Sequence, residues 1–150
     1  MRLVIQRSLD SYVKVDNHVI GKIDKGLVIL VGVTHDDTME DVNYLAKKVA
    51  NLRIFEDEEG KTNLSIQEVQ GQILSISQFT LMANTRKGNR PSFVRAAEPN
   101  YANDLYEAFN DQLRAMDFVV ETGQFGADMK VVINNNGPMT IVMDSKQKEF

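Results

Sequence analysis

Apolar and polar positions change period several times along this chain, and each change marks an element. Residues 3–7 read as a strand, and residues 11–15 (Ser-Tyr-Val-Lys-Val) alternate as a second one. Asp16-Asn17 then turns the chain back into a short strand over residues 19–23, completing a hairpin. Residues 26–33 (Gly-Leu-Val-Ile-Leu-Val-Gly-Val) are nearly all apolar, which predicts a central strand buried on both faces. Asp37-Thr38-Met39-Glu40 has capping-box spacing, with a carboxylate in place of the usual hydroxyl. Behind it Val42, Leu45, Ala46, Val49 and Leu52 recur at helical spacing and predict a helix over residues 38–53.

After an acidic turn at residues 56–60, residues 63–71 are irregular. Ile73, Leu74 and Ile76 open a buried strand over residues 72–81, followed by a loop over residues 83–95. Ala102, Leu105, Tyr106, Phe109, Leu113 and Met116 make the apolar face of a second helix, with Pro99 placed to start it. Strands are predicted over residues 118–122, 129–133 and 139–143, the last two joined by Asn134-Asn135-Asn136-Gly137-Pro138, and residues 145–150 form a polar tail. About seven or eight strands and two long helices, with hairpin-type links at both ends, predict one α+β domain over residues 1–150. Its sheets would be largely antiparallel, barrel-like or layered, with both helices packed on one side.

Composition narrows the chemistry. With 43% hydrophobic and 25% charged residues in 150, the chain can bury a real core as an ordinary soluble domain. It contains no cysteine, which removes disulfides, thiolate catalysis and cysteine-rich zinc sites and fits a reducing cytoplasm. The start, Met1-Arg2-Leu3-Val4-Ile5-Gln6-Arg7, is not that of a signal peptide, and no apolar run approaches the ~20 residues of a membrane span. A net charge of −4 does not announce a nucleic-acid partner, so one would need a local basic patch.

Three stretches carry candidate chemistry. Ser77-Gln78-Phe79-Thr80 ends a buried strand in hydroxyls, an amide and one aromatic ring, offering hydroxyls and backbone N–H groups on a rigid support. The bland alternative is a strand running into a polar turn. The following loop holds Arg86, Lys87, Arg90 and Arg95 and no acid, and reads either as a solvated loop or as a phosphate-binding one. Glu56-Asp57-Glu58-Glu59 could bind a divalent metal, although a solvated acidic turn is the simpler reading, and no metal or cofactor is expected. His18 and His35 stand alone in loops. No Gly-x-Ser-x-Gly elbow, phosphate-binding glycine loop or His-x-x-x-His pair is present, so conventional triad and zinc mechanisms lack their parts. Hydroxyls, an amide and backbone remain, and backbone N–H groups can stabilise an oxyanion in acyl transfer on an activated ester.

Ser77-Gln78-Phe79-Thr80-Leu81 and Asn136-Gly137-Pro138-Met139-Thr140 resemble the two signature motifs of the D-aminoacyl-tRNA deacylases, small dimeric proofreading enzymes. The resemblance extends to Ile5-Gln6-Arg7, Leu52-Arg53-Ile54-Phe55, Arg90-Pro91-Ser92-Phe93, Leu105-Tyr106 and Thr122-Gly123-x-Phe125-x-Ala127-Asp128-Met129, in order along essentially the whole chain. Met139 departs from the valine or other apolar residue frequent there.

The resemblance implies hydrolysis of the ester between a D-amino acid, or achiral glycine, and the terminal ribose of tRNA in the cytoplasm. It implies a homodimer in which a cis Gly137-Pro138 of one subunit enters the pocket of the other, its carbonyls crowding the side where an L side chain would lie. Asn136, Met139 and Thr140 flank that gate, and Ser77, Gln78, Phe79 and Thr80 line the pocket. Arg86, Lys87 and Arg90 are the candidate tRNA contacts. Thr80 acts either as nucleophile or, in the preferred reading, as a positioning group beside backbone N–H groups near Gln78 and Phe79, with the ribose 2′-hydroxyl helping to activate water. The competing classes are a non-catalytic RNA-binding homodimer and a structural homodimer without substrate.

Overall fold

A computed structural model describes residues 1–149, so the end of the predicted polar tail, Phe150, lies outside the described residues. Among the described residues, ten strands and two α-helices form the α+β fold expected. A five-stranded sheet runs in the order β10 (Asn135–Asp144), β1 (Arg2–Ser8), β4 (Gly26–Gly32), β7 (Gln72–Ser77), β8 (Val120–Thr122). A three-stranded sheet joins β3 (His18–Ile23), β2 (Ser11–Val15) and β9 (Lys130–Val132), and β5 (Arg53–Glu56) pairs with β6 (Thr62–Ser65). The helices are α1 (Met39–Asn51) and α2 (Pro99–Ala115).

The alternation of side chains along the central strands creates the layers. On β4, Leu27, Ile29 and Val31 face one way and join Leu3, Ile5 and Ile73 against Val42, Leu45 and Val49 of α1 and Leu105, Phe109 and Leu113 of α2. Val28, Leu74 and Ile76 face the other way and pack on Val13 and Ile23 of the three-stranded sheet. Both helices therefore lie on one side, as expected. Each fully buried Leu or Ile contributes roughly 1.5–3 kcal/mol, and β4 is buried from both sides because both layers need it.

Most strand pairs are antiparallel, but β4–β7 and β7–β8 are parallel. The reason is topological: α1 lies in the crossover from β4 to β7, and α2 in that from β7 to β8. The β2–β3 hairpin turns at Asp16 and Asn17 with φ of 49° and 63°, a left-handed pair that matches the twist of the strands.

The structure corrects five local expectations. The α1 cap is Thr38, whose side chain accepts from the Glu40 N–H while the Asp41 carboxylate accepts from the Thr38 N–H. Asp37, one residue earlier, is instead buried, where it pairs with the Met1 ammonium and accepts from the Thr34 N–H at 2.8 Å. The β5–β6 pair occupies residues that showed no strand period, because only Ile54 and Phe55 of β5 are buried. The strand over 72–81 stops at Ser77, and Phe79–Met82 is a short 3-10 turn. Finally, β9 and β10 do not form a hairpin: β9 pairs with β2 and β10 with β1, so the Asn-rich stretch carries the chain from one sheet to the other. Residues 145–149 are also more than a tail, since Ser145 is buried and Lys146 pairs with Asp41 at 3.1 Å. Among the described residues no helix is long and apolar enough to cross a membrane.

Candidate active site

β7 delivers the first candidate stretch. Ile73 and Ser75 face the helices, and Tyr106 of α2 donates its hydroxyl hydrogen to the Ser75 carbonyl at 2.7 Å, tying the strand to the helix layer. Burial raises the Tyr106 pKa above the ordinary phenol value, so the group remains a donor at neutral pH. Ser77 is half-buried at the strand end. The Gln78 N–H donates to Val31 O at 2.8 Å, which extends the strand pairing one residue and takes that N–H out of any reaction. The chain then bends into the 3-10 turn. The N–H groups of Phe79 and Thr80 open the turn and have no acceptor among the described residues, as the first donors of a helical turn must. The Thr80 hydroxyl donates to Gln78 Oε1 at 2.7 Å. No carboxylate or imidazole hydrogen-bonds to it among the described residues.

Phe79 is 55% exposed and meets Phe93 edge-on, with ring centroids 5.1 Å apart. Phe93 closes the loop that carries the basic residues, and Asn84 and Ser92 exchange backbone hydrogen bonds of 2.8 and 2.9 Å across its neck. The structure thus brings the base of that loop to the site. Arg86, Lys87 and Arg90 are all exposed and form no ion pair among the described residues.

The second stretch sits elsewhere. Asn136, Gly137, Pro138 and Thr140 are exposed at the start of β10, Met139 packs toward the core, and the Gly137–Pro138 peptide is cis. Sheet register fixes the distance to the first stretch. Ser77 is level with Val31, Val31 with Leu3, and Leu3 with Met143. Gly137 lies six residues before Met143 on β10, and β10 is three strands from β7. The β1–β10 register shifts between Gln6 and Ser8, so residues 136–139 bulge opposite Arg7, four residues from Leu3. The separation is therefore roughly 13 Å along the strands and about 14 Å across them. The two motifs occupy opposite ends of one sheet.

Gln6, Arg7 and Asn135 stood in the sequence only as parts of motifs, with no role assigned, and they are the residues that hold the second stretch in shape. Arg7 donates to Asn136 O through Nε and to Ile54 O through Nη1, both at 2.9 Å. Asn135 Nδ2 donates to Arg7 O at 3.0 Å and Met139 O at 3.2 Å, and Gln6 Nε2 donates to Thr140 Oγ1 at 3.1 Å. The signal was present: Arg7 continues the phase of Leu3 and Ile5, and a charge at a core position of a strand is rare without partners. The acidic turn, by contrast, is internally engaged. The Asp57 carboxylate accepts from the N–H groups of Glu59 and Lys61, both at 2.9 Å.

A family model described as D-Tyr-tRNA(Tyr) deacylase matches residues 4–144. The chain is 58% identical over 147 residues to a D-aminoacyl-tRNA deacylase of Bacillus pumilus, spanning 98% of this chain and 100% of that one. It is 56% identical to a D-aminoacyl-tRNA deacylase of Exiguobacterium sibiricum, spanning 96% and 99%. Among solved structures, a c-Myc DNA unwinding element binding protein superposes with a TM-score of 0.91 at 38% identity, covering 96% of this chain and 98% of the other. A structure described as a probable eukaryotic D-amino acid tRNA deacylase superposes at 0.82 with 17% identity over 95% and 97%, a likeness of fold alone. Full-length matches at this identity make the conclusion plain: the chain belongs to the D-Tyr-tRNA(Tyr) deacylase family and carries its deacylase activity on D-aminoacyl-tRNA.

Proposed function

We propose that this chain works as a cytoplasmic homodimer in which Gly137-Pro138 of one subunit forms the wall of the other subunit's pocket, rejecting L-amino acids by steric clash. The observation that carries this reading is the placement of the two motifs at opposite ends of one sheet, Ser77 level with Met143 and Gly137 in the bulge opposite Arg7. A subunit's own Gly137 is too far from its own Ser77 to touch a substrate there, so a gate at that pocket comes from a second copy. Two-fold pairing supplies it reciprocally. A wall that excludes by clash admits glycine, so glycyl-tRNA is a second substrate of this reading.

Within the pocket, Ser77, Gln78, Phe79 and Thr80 surround the ester. Water attacks the carbonyl carbon, and the N–H groups of Phe79 and Thr80 stabilise the oxyanion that forms. Collapse breaks the bond to the ribose oxygen, which takes up a proton and leaves as tRNA, releasing the free D-amino acid. The ribose 2′-hydroxyl helps to activate the water, and Thr80, hydrogen-bonded to Gln78, orients groups without attacking. Arg86, Lys87 and Arg90 meet tRNA phosphates. A non-catalytic RNA-binding homodimer would use the same basic loop but without the hydrolysis that the full-length deacylase relatives carry.

One experiment addresses gate, dimer and chemistry together. Phe79→Pro removes the oxyanion donor at a position whose preceding residue, Gln78, is already extended (φ −143°, ψ 92°). Gly137→Ala disturbs the gate. Each variant alone is expected to lose D-selective hydrolysis of Tyr-tRNA. After subunit exchange, half the dimers are mixed and each holds one site with both parts intact, so roughly a quarter of wild-type activity returns. No recovery on mixing, with exchange confirmed by sedimentation, contradicts the trans gate. A wild type that binds tRNA but leaves D-Tyr-tRNA at the blank rate contradicts the enzyme.

A further inference from the structure

A cleft of about 290 Å³ opens beside the 3-10 turn, lined among others by Arg2, Thr34, Met82, Arg95, Asp144 and Lys146. Arg2, Arg95 and Lys146 line it beside Asp144, and Lys146 is also paired with Asp41 and lies 3.9 Å from Asp37. Two of the cations are held in place. Arg2 donates through Nε to Asp144 at 2.9 Å and through Nη1 to the Leu81 carbonyl at 3.1 Å. Lys146 donates to Asp41 at 3.1 Å and to the Asp36 carbonyl at 3.4 Å. The third, Arg95, is exposed and forms no ion pair among the described residues. Its backbone is nonetheless fixed to the rim, because the Thr34 hydroxyl donates to Arg95 O at 2.7 Å and Thr34 pairs with Ala96.

We propose that this cleft is the subsite for the phosphodiester that joins the terminal nucleotide of the tRNA 3′ strand to the nucleotide before it. The inference rests on the deacylase reading above and adds a second anchor to it, separate from the Arg86–Arg90 loop. Leu81, whose carbonyl receives Arg2, follows Thr80 directly, so the cleft begins one residue from the N–H groups assigned to the ester. A strand whose last ribose sits at those donors therefore carries its preceding phosphate toward the cleft. A phosphodiester bears a single negative charge and needs donors rather than a bare excess of charge. Arg95 presents a planar guanidinium with five N–H donors, the geometry that suits a phosphate's oxygens. Cations already ordered by Asp144 and Asp41 lose little freedom when the ligand arrives. Arg95 supplies the charge that no carboxylate compensates.

The test uses the full protein and its Arg95→Gln variant, an exposed substitution that the fold tolerates. The probe is the trinucleotide cytidylyl-cytidylyl-adenosine, with adenosine as its phosphate-free counterpart. Arg95→Gln is expected to weaken the trinucleotide about 5- to 10-fold and to flatten its log Kd against log salt by about 0.7. Adenosine binding should fall far less. In turnover, the advantage in kcat/KM of D-Tyr-tRNA over the 3′-D-tyrosyl ester of adenosine is expected to drop about tenfold, chiefly through KM. An unchanged trinucleotide Kd and salt slope overturns the subsite, as does an equal loss on adenosine, which would mean that Arg95 acts through the fold. If wild type hydrolyses neither ester, the deacylase reading fails, and the trinucleotide Kd still decides whether the cleft takes a phosphodiester.

Discussion

The Thr80 hydroxyl donates its hydrogen to Gln78 Oε1, 2.7 Å away. A carboxamide oxygen accepts hydrogen bonds but does not take up the proton of an attacking hydroxyl at neutral pH. A nucleophilic Thr80 would therefore lack its base, whereas a positioning Thr80 is already positioned. Thr80→Ala is expected to retain turnover, with single-turnover hydrolysis of D-Tyr-tRNA slowed ~10- to 100-fold. A folded, dimeric variant no faster than buffer would restore Thr80 as nucleophile.

Gly137 has no room for a side chain. A Cβ there would lie 2.3 Å from Asn135 Oδ1 and 2.6 Å from the Met139 nitrogen. Asn135 is the residue whose amide holds Arg7 O and Met139 O, so Gly137→Ala shifts the loop that Arg7 also grips through Asn136 O. The expected result is a lower ratio of D- to L-Tyr-tRNA hydrolysis, or loss of both. Arg7→Ala should act in the same direction and, by removing two charge-assisted bonds from a buried position, cost about 2–4 kcal/mol, seen as a fall in Tm of roughly 5–15 °C. An unaltered D/L ratio in both variants would take the loop out of the selection step.

Arg86, Lys87 and Arg90 project from a loop whose base touches the site through the Phe79–Phe93 ring pair. Reversing two of these charges is expected to weaken tRNA binding and to reduce the slope of log Kd against log salt by about 1 to 2. Filter binding across a salt series reads both, and an identical slope for wild type and variant would leave the loop without phosphate contacts.

Asp41 links stability to pH. Burial pushes its carboxyl pKa up, but hydrogen bonds from Ser145, the Thr38 N–H and Lys146, together with the Lys146 charge, outweigh burial and hold it at about 2 against an ordinary 3.8. Because the folded value is the lower one, the stabilisation is complete above pH ~4 and is lost as the pH falls toward 2. The amount is on the order of 2 kcal/mol. Asp41→Asn should remove it, so wild type and variant converge in denaturant midpoint between pH 4 and 2. A gap that stays constant through that window would assign the stabilisation to another group.

How much of this protein its sequence determined by itself can be judged element by element. Period alone placed α1, α2, the β2–β3 hairpin and β4, because each buries a whole face or both faces, and burial of that kind writes a period into the chain. The β5–β6 pair left no such trace, since it packs only Ile54, Phe55 and Leu64 against the core. The residue types at 77–80 and 136–140 were legible as motifs, since chemistry selects side chains directly. Their arrangement was not. Whether β10 follows β9 as a hairpin or crosses to β1 depends on which sheet accepts its edge, and that is set by the Leu3–Met143 register and by Arg7, residues more than a hundred positions away. Only the assembled sheet puts Gly137 and Ser77 at its opposite ends, and only the bond from Gln78 N–H to Val31 O moves the available donors on to Phe79 and Thr80. Side-chain chemistry is local and survives in one dimension. Distance across a sheet is the sum of pairings made by strands far apart in the chain, and tertiary structure alone decides it.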